Sequence, residues 1–576
     1  MGMIIVAALS TVTASTSFDV VVYDATSGGV TAAVSAARHG MRTALLCASW
    51  PACFAGGGKR IGGMSSGGLG QTDFGSHPEI IGGLALEFYR RNRQTYTNGL
   101  SVLGKSQNCR LPSAECTATF NLEPSRAQSI FRDMLREAGV SIFYGAQVVR
   151  VRKTGTMIAS VDTTTETGNS TFSAKVFIDA SYEGDLFARA GISYIVGREA
   201  RSAYNESLAG MSAGSRSNQF DVAVDPFDAS GAPLPLTQLP VAGAVVGEGD
   251  KMVQAYNFRL CVTQDPDNMA PWPMPDNYSA ATFELLRRYL ATCEGDDVSH
   301  SGKGCQLGFP SCNTAPVPSS KFDSNNCGGI SSDFIGASFL YPDASYAERR
   351  TIWMRHLQYH QGLLYTMAHD PQVPASVRSA MAKWGLCKDE FGDMAISPHW
   401  PPSLYVRAAR RLQGESIFTQ NTPSEQLAVG GIGNLSIGLG GYNFDSHNAQ
   451  RLACRNASSC YGRAPAATGT STPFAWDEGD VQIAPGVYQI PLTAVLPKRV
   501  EATNLLVVAA PSASHIGMST LRMEPQFMIV GHSAGVVAAL ATRAGGAVHD
   551  VDTAALRSAL LDDGMKLDIG ENLRWG

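Results

Sequence analysis

The side chains best suited to chemistry fall in three short stretches late in the chain. Asp445-Ser446-His447 lies in the Gly/Asn-rich stretch YNFDSHN, and His515 lies in SASHIGM, just after a predicted strand. Arg522-Met523-Glu524-Pro525 precedes the last long helix. Loops at strand ends are where α/β folds place ligands. Histidine changes charge near neutral pH, so His447 and His515 are candidate proton acceptors. Asp445 could orient an imidazole, and Arg522 could stabilise negative charge as it develops. The plainer reading is a capping Asp, packed histidines and a structural Arg522–Glu524 pair.

Gly531-His532-Ser533-Ala534-Gly535 has the G-x-S-x-G form of a nucleophile elbow. In that fold an acid and then a histidine follow the serine. Only 43 residues follow Ser533, with His549 the sole histidine among them, too little chain for the strands still required. The glycines also sit inside a small-residue helical pattern starting near Pro525. His356 and His360 share a helix face at i, i+4 spacing, but H-E-x-x-H is absent. Their apolar neighbours Trp353, Leu357, Leu363 and Leu364 predict packing, as do Met518, Met523 and Met528. No metal site is expected.

A second kind of chemistry is expected near the start. Phe18 to Leu46 reads strand, tight turn, helix, strand: Phe18–Tyr23 is apolar and β-branched, Ser27-Gly28-Gly29 breaks it, Val30–Arg38 is Ala-rich, and Thr43–Leu46 is apolar again. This is a βαβ unit of the length that binds dinucleotides, with free N–H groups at the helix start facing a pyrophosphate. The G-x-G-x-x-G pattern falls on Asp24, Thr26 and Gly29, so Gly29 alone survives. Cys47 stands where an acid usually holds a ribose. Asp24 is read as tolerated through local turn geometry. A further Gly-rich loop carries Gly62, Gly63, Gly67 and Gly68, where backbone N–H groups can approach a phosphate or ring closely.

The elements that position these stretches follow in order. Helices are predicted over Pro78–Arg93 and Glu123–Ala138, then strands over Val140–Tyr144, Gln147–Arg152, Met157–Thr163 and Thr171–Ile178. Residues from about Ala200 to Gln482 are irregular, with helices predicted at Phe283–Ala291, Tyr346–Ala368 and Pro402–Gln413. A buried strand over Thr503–Ala509 and a helix over Pro525–Arg543 close the pattern.

Several stretches together carry a family resemblance: IGGMSSGGLGQTD, FIDASYEGDLFARAGISYIVGREA, DKMVQAYNFRLCVT, KFDSNNCGGISSDFIG, WGLCKDEF, LYVRAARRLQGE, YNFDSHNAQR and the block Asn504–Leu540. With Phe18–Leu46 they resemble the FAD-dependent oxidoreductase family of the glutathione-reductase superfamily, whose bacterial members are loosely labelled xanthan-lyase-like. The likeness runs from Phe18 to about Thr542. It implies an α/β fold: a Rossmann-like FAD-binding lobe of glutathione-reductase type, discontinuous in sequence, with a large irregular α+β substrate lobe. The divisions expected are 1–17 as a signal peptide, 18–199 and 486–545 as the FAD lobe, 200–485 as the substrate lobe, and 546–576 as a tail. The resemblance implies FAD as cofactor, contacted by Thr26, Ser27, Gly28, Gly29, Gly62, Gly63, Met64, Gly67, Asp179, Ser181 and Glu524, with the backbone of Val148 meeting the adenine. Catalysis would fall to His447, His515, Arg522 and Asp445. The reaction expected is hydride transfer between flavin and a small organic substrate such as a sugar-like alcohol. No second dinucleotide fingerprint supports NAD(P)H, so oxygen is the expected acceptor. The competing reading is a binding or structural protein that kept the fold and lost the flavin, with Asp24 and Cys47 as its evidence.

Composition narrows the rest. At 576 residues the chain exceeds the roughly 250–300 of a single core, so two lobes are expected. Charged residues are 16% and the formal net charge is −5, which gives no basic footprint for nucleic acid or a membrane surface. Met3–Leu9 followed by STVTAS reads as a secretory segment with cleavage near Ala14. Twelve cysteines include the close pairs Cys47/Cys53, Cys109/Cys116, Cys305/Cys312 and Cys454/Cys460, read as loop-closing disulfides. Sequons at Asn169, Asn205, Asn277, Asn434 and Asn456 point the same way, to a secreted glycoprotein.

Overall fold

The computed structural model describes residues 14–75, 77–96, 118–212, 218–292, 314–460 and 472–570. Strand β1 (Ala14–Tyr23), helix α1 (Ser27–Arg38) and β2 (Thr43–Cys47) form the expected βαβ unit. β1 pairs in parallel with β2, aligning Val20 with Thr43 and Tyr23 with Leu46. β3 (Ser141–Tyr144) adds in parallel outside β2. On the other side β1 pairs in parallel with β6 (Gly168–Asp179), which also takes the late strand Leu505–Val507 in parallel. Before β6 the chain forms an antiparallel ribbon, β4 (Gln147–Thr154) against β5 (Met157–Thr165) against the first half of β6. The nucleotide sheet is thus discontinuous in sequence and mixes parallel and antiparallel pairs.

The pleat sends alternate residues of β1 to opposite sides. Val20 and Val22 enter the core that holds α1 and the helix Glu524–Ala544, while Val21 and Tyr23 enter a smaller core under the ribbon. α1 and the late helix touch backbone to backbone. A Cβ on Gly531 would lie 2.1 Å from the Gly28 carbonyl oxygen, and one on Gly535 would lie 2.6 Å from that of Ala32. Ser533 is fully buried and its hydroxyl donates to the Ile437 carbonyl at 2.6 Å. The GHSAG run is therefore a helix-packing face and no elbow. Glu524–Ala544 is long and apolar enough to cross a membrane, yet 78% of its apolar window is buried as this fold's core helix.

The middle of the chain forms an antiparallel sheet in the order Thr314–Val317, Lys321–Ser324, Leu260–Thr263, Gly385–Cys387, Met269–Ala270. Beside it lies the long helix Tyr346–His369, started by a capping box in which Ser345 and Glu348 bond each other's backbone. His356 and His360 are fully buried on this helix. Burial pushes them down to about 3 and about 4, and they bond the Ile352 and Ser332 carbonyls, so both are packed neutral imidazoles.

Four expectations need correction. Pro402–Gln413 is not a helix: it is extended chain ending in a short strand, Arg411–Leu412 against Tyr194–Ile195. A helix would put Arg407, Arg410 and Arg411 on one face, whereas their partners Asp333, Asp185 and Glu199 come from three separate segments. Pro78–Arg93 divides into a 3-10 turn, Pro78–Ile80, and a helix, Gly83–Gln94, because Gly82 and Gly83 interrupt it. The tail is folded: Thr553–Asp562 is a helix, and Asp563 Oδ2 lies 2.8 Å from His532 Nε2 on the core helix. Finally, Ala14–Ser17 pair with Ser170–Ser173, so β1 reaches four residues into the stretch assigned to the leader. The apolar run Met3–Leu9 lies outside the described residues, as do Cys109, Cys116, Cys305 and Cys312. Cys47–Cys53 and Cys454–Cys460 are disulfides, and a third joins Cys261 to Cys387 across 126 residues.

Candidate active site

The candidate residues fall in two polar regions: a groove at the C-terminal ends of the parallel strands, and a buried pocket formed between early, middle and late segments of the chain.

The groove begins at α1. Thr26 is its N-cap: the hydroxyl accepts from Gly29 N–H at 3.1 Å and donates to the Ala180 carbonyl at 2.8 Å. Gly29 must be glycine, since a Cβ would sit 2.1 Å from the Asp24 carbonyl oxygen. Asp24, where the pattern has its first glycine, adopts φ 72°. Its carboxylate accepts from Ala25 N–H at 2.9 Å, Ala48 N–H at 3.1 Å, Ser49 N–H at 3.2 Å and the Ser49 hydroxyl at 2.5 Å. One acid thus ties the end of β1 to the end of β2, beside the Cys47–Cys53 disulfide that replaces the usual acid. Burial raises its pKa against those four bonds.

Ser27, Met64 and Glu524 come together here. Glu524 accepts from the Ser27 hydroxyl at 2.5 Å, the Ser65 hydroxyl at 3.3 Å and the Tyr182 hydroxyl at 2.6 Å, and Met64 N–H donates to Tyr182 Oη at 3.0 Å. Burial pushes the Glu524 carboxyl up to about 7. Gly62 and Gly63 take φ of 105° and 56°, which favours glycine. Their missing side chains face the Phe131 ring and Tyr182 Oη, and that of Gly67 faces Ser403 Oγ, so these glycines serve packing as well as close approach.

The two remaining expected cofactor contacts already have protein partners. Val148 N–H donates to Tyr23 Oη at 3.3 Å, and its carbonyl accepts from the Tyr346 hydroxyl at 3.1 Å, which leaves the carbonyl one lone pair. The Asp179 carboxylate accepts from Ser181 N–H and hydroxyl and from Leu186 and Phe187 N–H, capping the short helix Asp185–Arg189. Ser181 itself lines the groove, with Gln147, Trp50, Tyr346 and Trp353. Asp185 is neutralised by Arg349 at 2.8 Å and Arg410 at 3.0 Å, while Glu183, facing the same space, is pushed up to about 7 by burial. Arg60 also lines the groove, and its buried Nε donor has no partner.

The second region is a cavity of about 150 Å³ lined by Gln71, Asp73, Arg259, Tyr405, Tyr442, Asp445, His447, Gln482 and Arg522 among others. The strand Phe444–Ser446, paired with Val481–Ile483, presents Asp445. Arg522, at the end of the helix His515–Leu521, reaches Asp445 Oδ2 at 2.9 Å and Tyr405 Oη at 3.0 Å. His447 Nδ1 lies 2.7 Å from Asp333 Oδ2 and Nε2 lies 3.4 Å from Asp445 Oδ1. Burial and Arg407 oppose its charge, but the two carboxylates outweigh them and raise its pKa. Burial likewise opposes the Asp445 charge, and His447 with Arg522 holds it well below the usual range.

Three of the four expected catalytic residues therefore share one pocket, and the fourth does not. His515 is buried behind it, with Nε2 2.9 Å from Ser446 Oγ, and burial with Arg411, Arg198 and Arg522 keeps it neutral. That bond ties the helix His515–Leu521 to the strand that carries Asp445. Residues that were not singled out complete the pocket. Asp333 and Arg407 pair at 2.8 Å beneath His447, Arg259 pairs with Asp323, and Asp73 faces the cavity. Each lies inside one of the quoted stretches, so the signal was present as a motif and lacked only the contacts that mark these positions.

A discontinuous α/β nucleotide fold, with a groove at the helix N-terminus and a buried pocket of charged side chains, defines a cofactor-dependent oxidoreductase. The sequence model of the family described as FAD dependent oxidoreductase matches residues 19–560, and the chain belongs to that family. It is an enzyme and its cofactor is FAD. The groove fits that group: Ser27 and Gly28 present first-turn N–H groups at a helix start, Gly29 permits the tight turn, and the orphaned Arg60 donor suits an anion. No curated protein matches the chain.

Solved structures resemble parts of it. OxyS anhydrotetracycline hydroxylase from Streptomyces rimosus is 16% identical over 32% of this chain and 38% of its own, with a TM-score of 0.21. A geranylgeranyl bacteriochlorophyll reductase-like protein from Thermoplasma acidophilum is 16% identical over 31% and 43%, with a TM-score of 0.20. Thioredoxin reductase from T. acidophilum is 21% identical over 28% and 34%, with a TM-score of 0.16. At such scores nothing about this chain's chemistry rests on them.

Proposed function

We propose that the enzyme oxidises a small, neutral, polyhydroxylated substrate such as a sugar-like alcohol. The observation that carries this reading is the charge balance of the pocket. In the lining Arg259 and Arg522 offset Asp73 and Asp445, and behind it Arg259 pairs with Asp323 and Arg407 with Asp333, which also holds His447. A charged substrate would upset that balance, whereas hydroxyls can both donate to carboxylates and accept from guanidiniums. The buried donors Arg259 Nη1 and Arg522 Nε have no protein partner and are available to substrate oxygens. FAD, when bound in a lobe of glutathione-reductase type, supplies the two-electron acceptor, and oxygen would reoxidise it. The described disulfides, with exposed asparagines at 169, 205, 277 and 434, favour a secreted glycoprotein.

The test is direct. Purified protein should release FAD on denaturation, and anaerobic mixing with a panel of sugars and polyols should bleach the flavin. Hydroxy acids and amines serve as charged controls. Bleaching by the charged members alone would refute the neutral-polyol reading.

A further inference from the structure

We propose that Asp73 is the base that takes the hydroxyl proton from the substrate, in place of either histidine. This rests on the alcohol-oxidation reading above. A base must be unprotonated and free to receive a proton. His447 fails on both counts, because each ring nitrogen faces a carboxylate and the pair favours the imidazolium. His515 lies outside the cavity. Asp445 is engaged by the Arg522 guanidinium and by the hydroxyl of Tyr442 and the amide of Gln482.

Asp73 differs from all three. It ends the Gly-rich loop, lines the cavity, and keeps 26% of its side chain exposed there. Its sole ion-pair contact among the described residues is Arg259 Nη1 at 3.8 Å, too long for a hydrogen bond. Arg259 is already held by Asp323 on the neighbouring strand. The other charged or titratable groups facing Asp73 are Asp445, Arg522, Asp323, Tyr405 and Tyr442. Burial, with Asp445 and Asp323 beside it, raises its affinity for a proton against the opposing charges of Arg259 and Arg522.

The step balances. FAD, when bound, would supply the two-electron acceptor for the hydrogen of the broken substrate C–H bond, taken with its electron pair. The O–H bond breaks and its proton forms a new O–H bond on the Asp73 carboxylate. The carbon–oxygen bond becomes a carbonyl, and Asp73 returns its proton to solvent through the open side of the cavity.

The proposal is tested on FAD-loaded protein in two arms. In the first, with no substrate, protein carrying 13Cγ-labelled aspartate is titrated by NMR. One resonance should vanish in Asp73→Asn and should titrate above the ordinary aspartate midpoint of about 3.9. In the second, Asp73→Asn should keep its FAD and melting curve, and anaerobic flavin bleaching by the active polyol should slow by about 10²–10⁴-fold and lose its pH dependence. Asp73→Glu should recover part of the rate. A midpoint at or below the ordinary value, or wild-type bleaching by Asp73→Asn, overturns the proposal. A raised midpoint supports it even if no polyol bleaches the flavin; in that case the polyol reading alone fails.

Discussion

Replacing Gly29 by alanine puts the cofactor turn to a quantitative test. The added Cβ would lie 2.1 Å from the Asp24 carbonyl oxygen and 3.1 Å from Ala180 Cβ, against an ordinary contact of 3.4–4 Å. More than 1 Å must be found. The carbonyl cannot swing aside, because its residue sits at φ 72° and its side chain is fixed by four hydrogen bonds. Overpacking typically costs about 1–3 kcal/mol, and a backbone neighbour held on both sides places this case near the upper end, about 3 kcal/mol. If the turn relaxes by moving Thr26–Gly29, the cost falls on FAD, and about 3 kcal/mol is roughly a 100-fold loss of affinity. Gly155→Ala is the control: φ is 59° and no atom lies within 4 Å, so it should cost only about 1 kcal/mol of stability and leave FAD binding alone. Fluorescence titration of deflavinated protein measures affinity, and urea unfolding measures stability. Equal FAD affinity in the two variants would show that this turn does not hold the diphosphate.

Three further outcomes are expected. FAD affinity should fall as pH rises through about 7, because Glu183 and Glu524, both pushed up to about 7 by burial, then add negative charge to the groove and to the start of α1. The same linkage lowers apoprotein stability over that range, since a raised carboxyl stabilises fully only below its unfolded value near 4.5 and loses that contribution on passing about 7; a pH-independent Kd and Tm would contradict both. Ser533→Ala should leave flavin bleaching unchanged while Gly531→Ala, whose Cβ meets the Gly28 carbonyl oxygen at 2.1 Å, lowers the melting temperature; loss of turnover in Ser533→Ala would revive the hydrolase reading. Replacing both Cys261 and Cys387 by serine opens a loop spanning 126 residues and should cost about 4–5 kcal/mol by denaturant midpoint, with a change under about 1 kcal/mol refuting the chain-entropy account.

The fold was largely legible because its signals are local. The period of two in Gln147–Thr154 and Met157–Thr165, the apolar run of β1 and the Ala-rich stretch after Gly29 each fix an element from a few consecutive residues. Legibility failed where distant partners decide. Pro402–Gln413 has helical spacing, but buried arginines there are drawn to Asp333, Asp185 and Glu199. Propensity is worth a few tenths of a kcal/mol per residue, less than the cost of leaving buried guanidiniums unpaired.

The site divides along the same line. Asp445, His447 and Arg522 were found as residue types in loops, and they do converge. What the sequence could not give was protonation, because that depends on which carboxylates face which nitrogen. His447 and His515 look alike in sequence, yet one lies between Asp333 and Asp445, which raise its affinity for a proton, while burial and then Arg411, Arg198 and Arg522 lower that of the other. Neither is therefore poised as the neutral, accessible imidazole that an alcohol oxidation requires. Asp73, the acid that ends the Gly-rich loop, is left facing the cavity without a hydrogen-bonded guanidinium. In this pocket the proton acceptor is selected by the neighbours that are missing, and a motif records only the neighbours that are present.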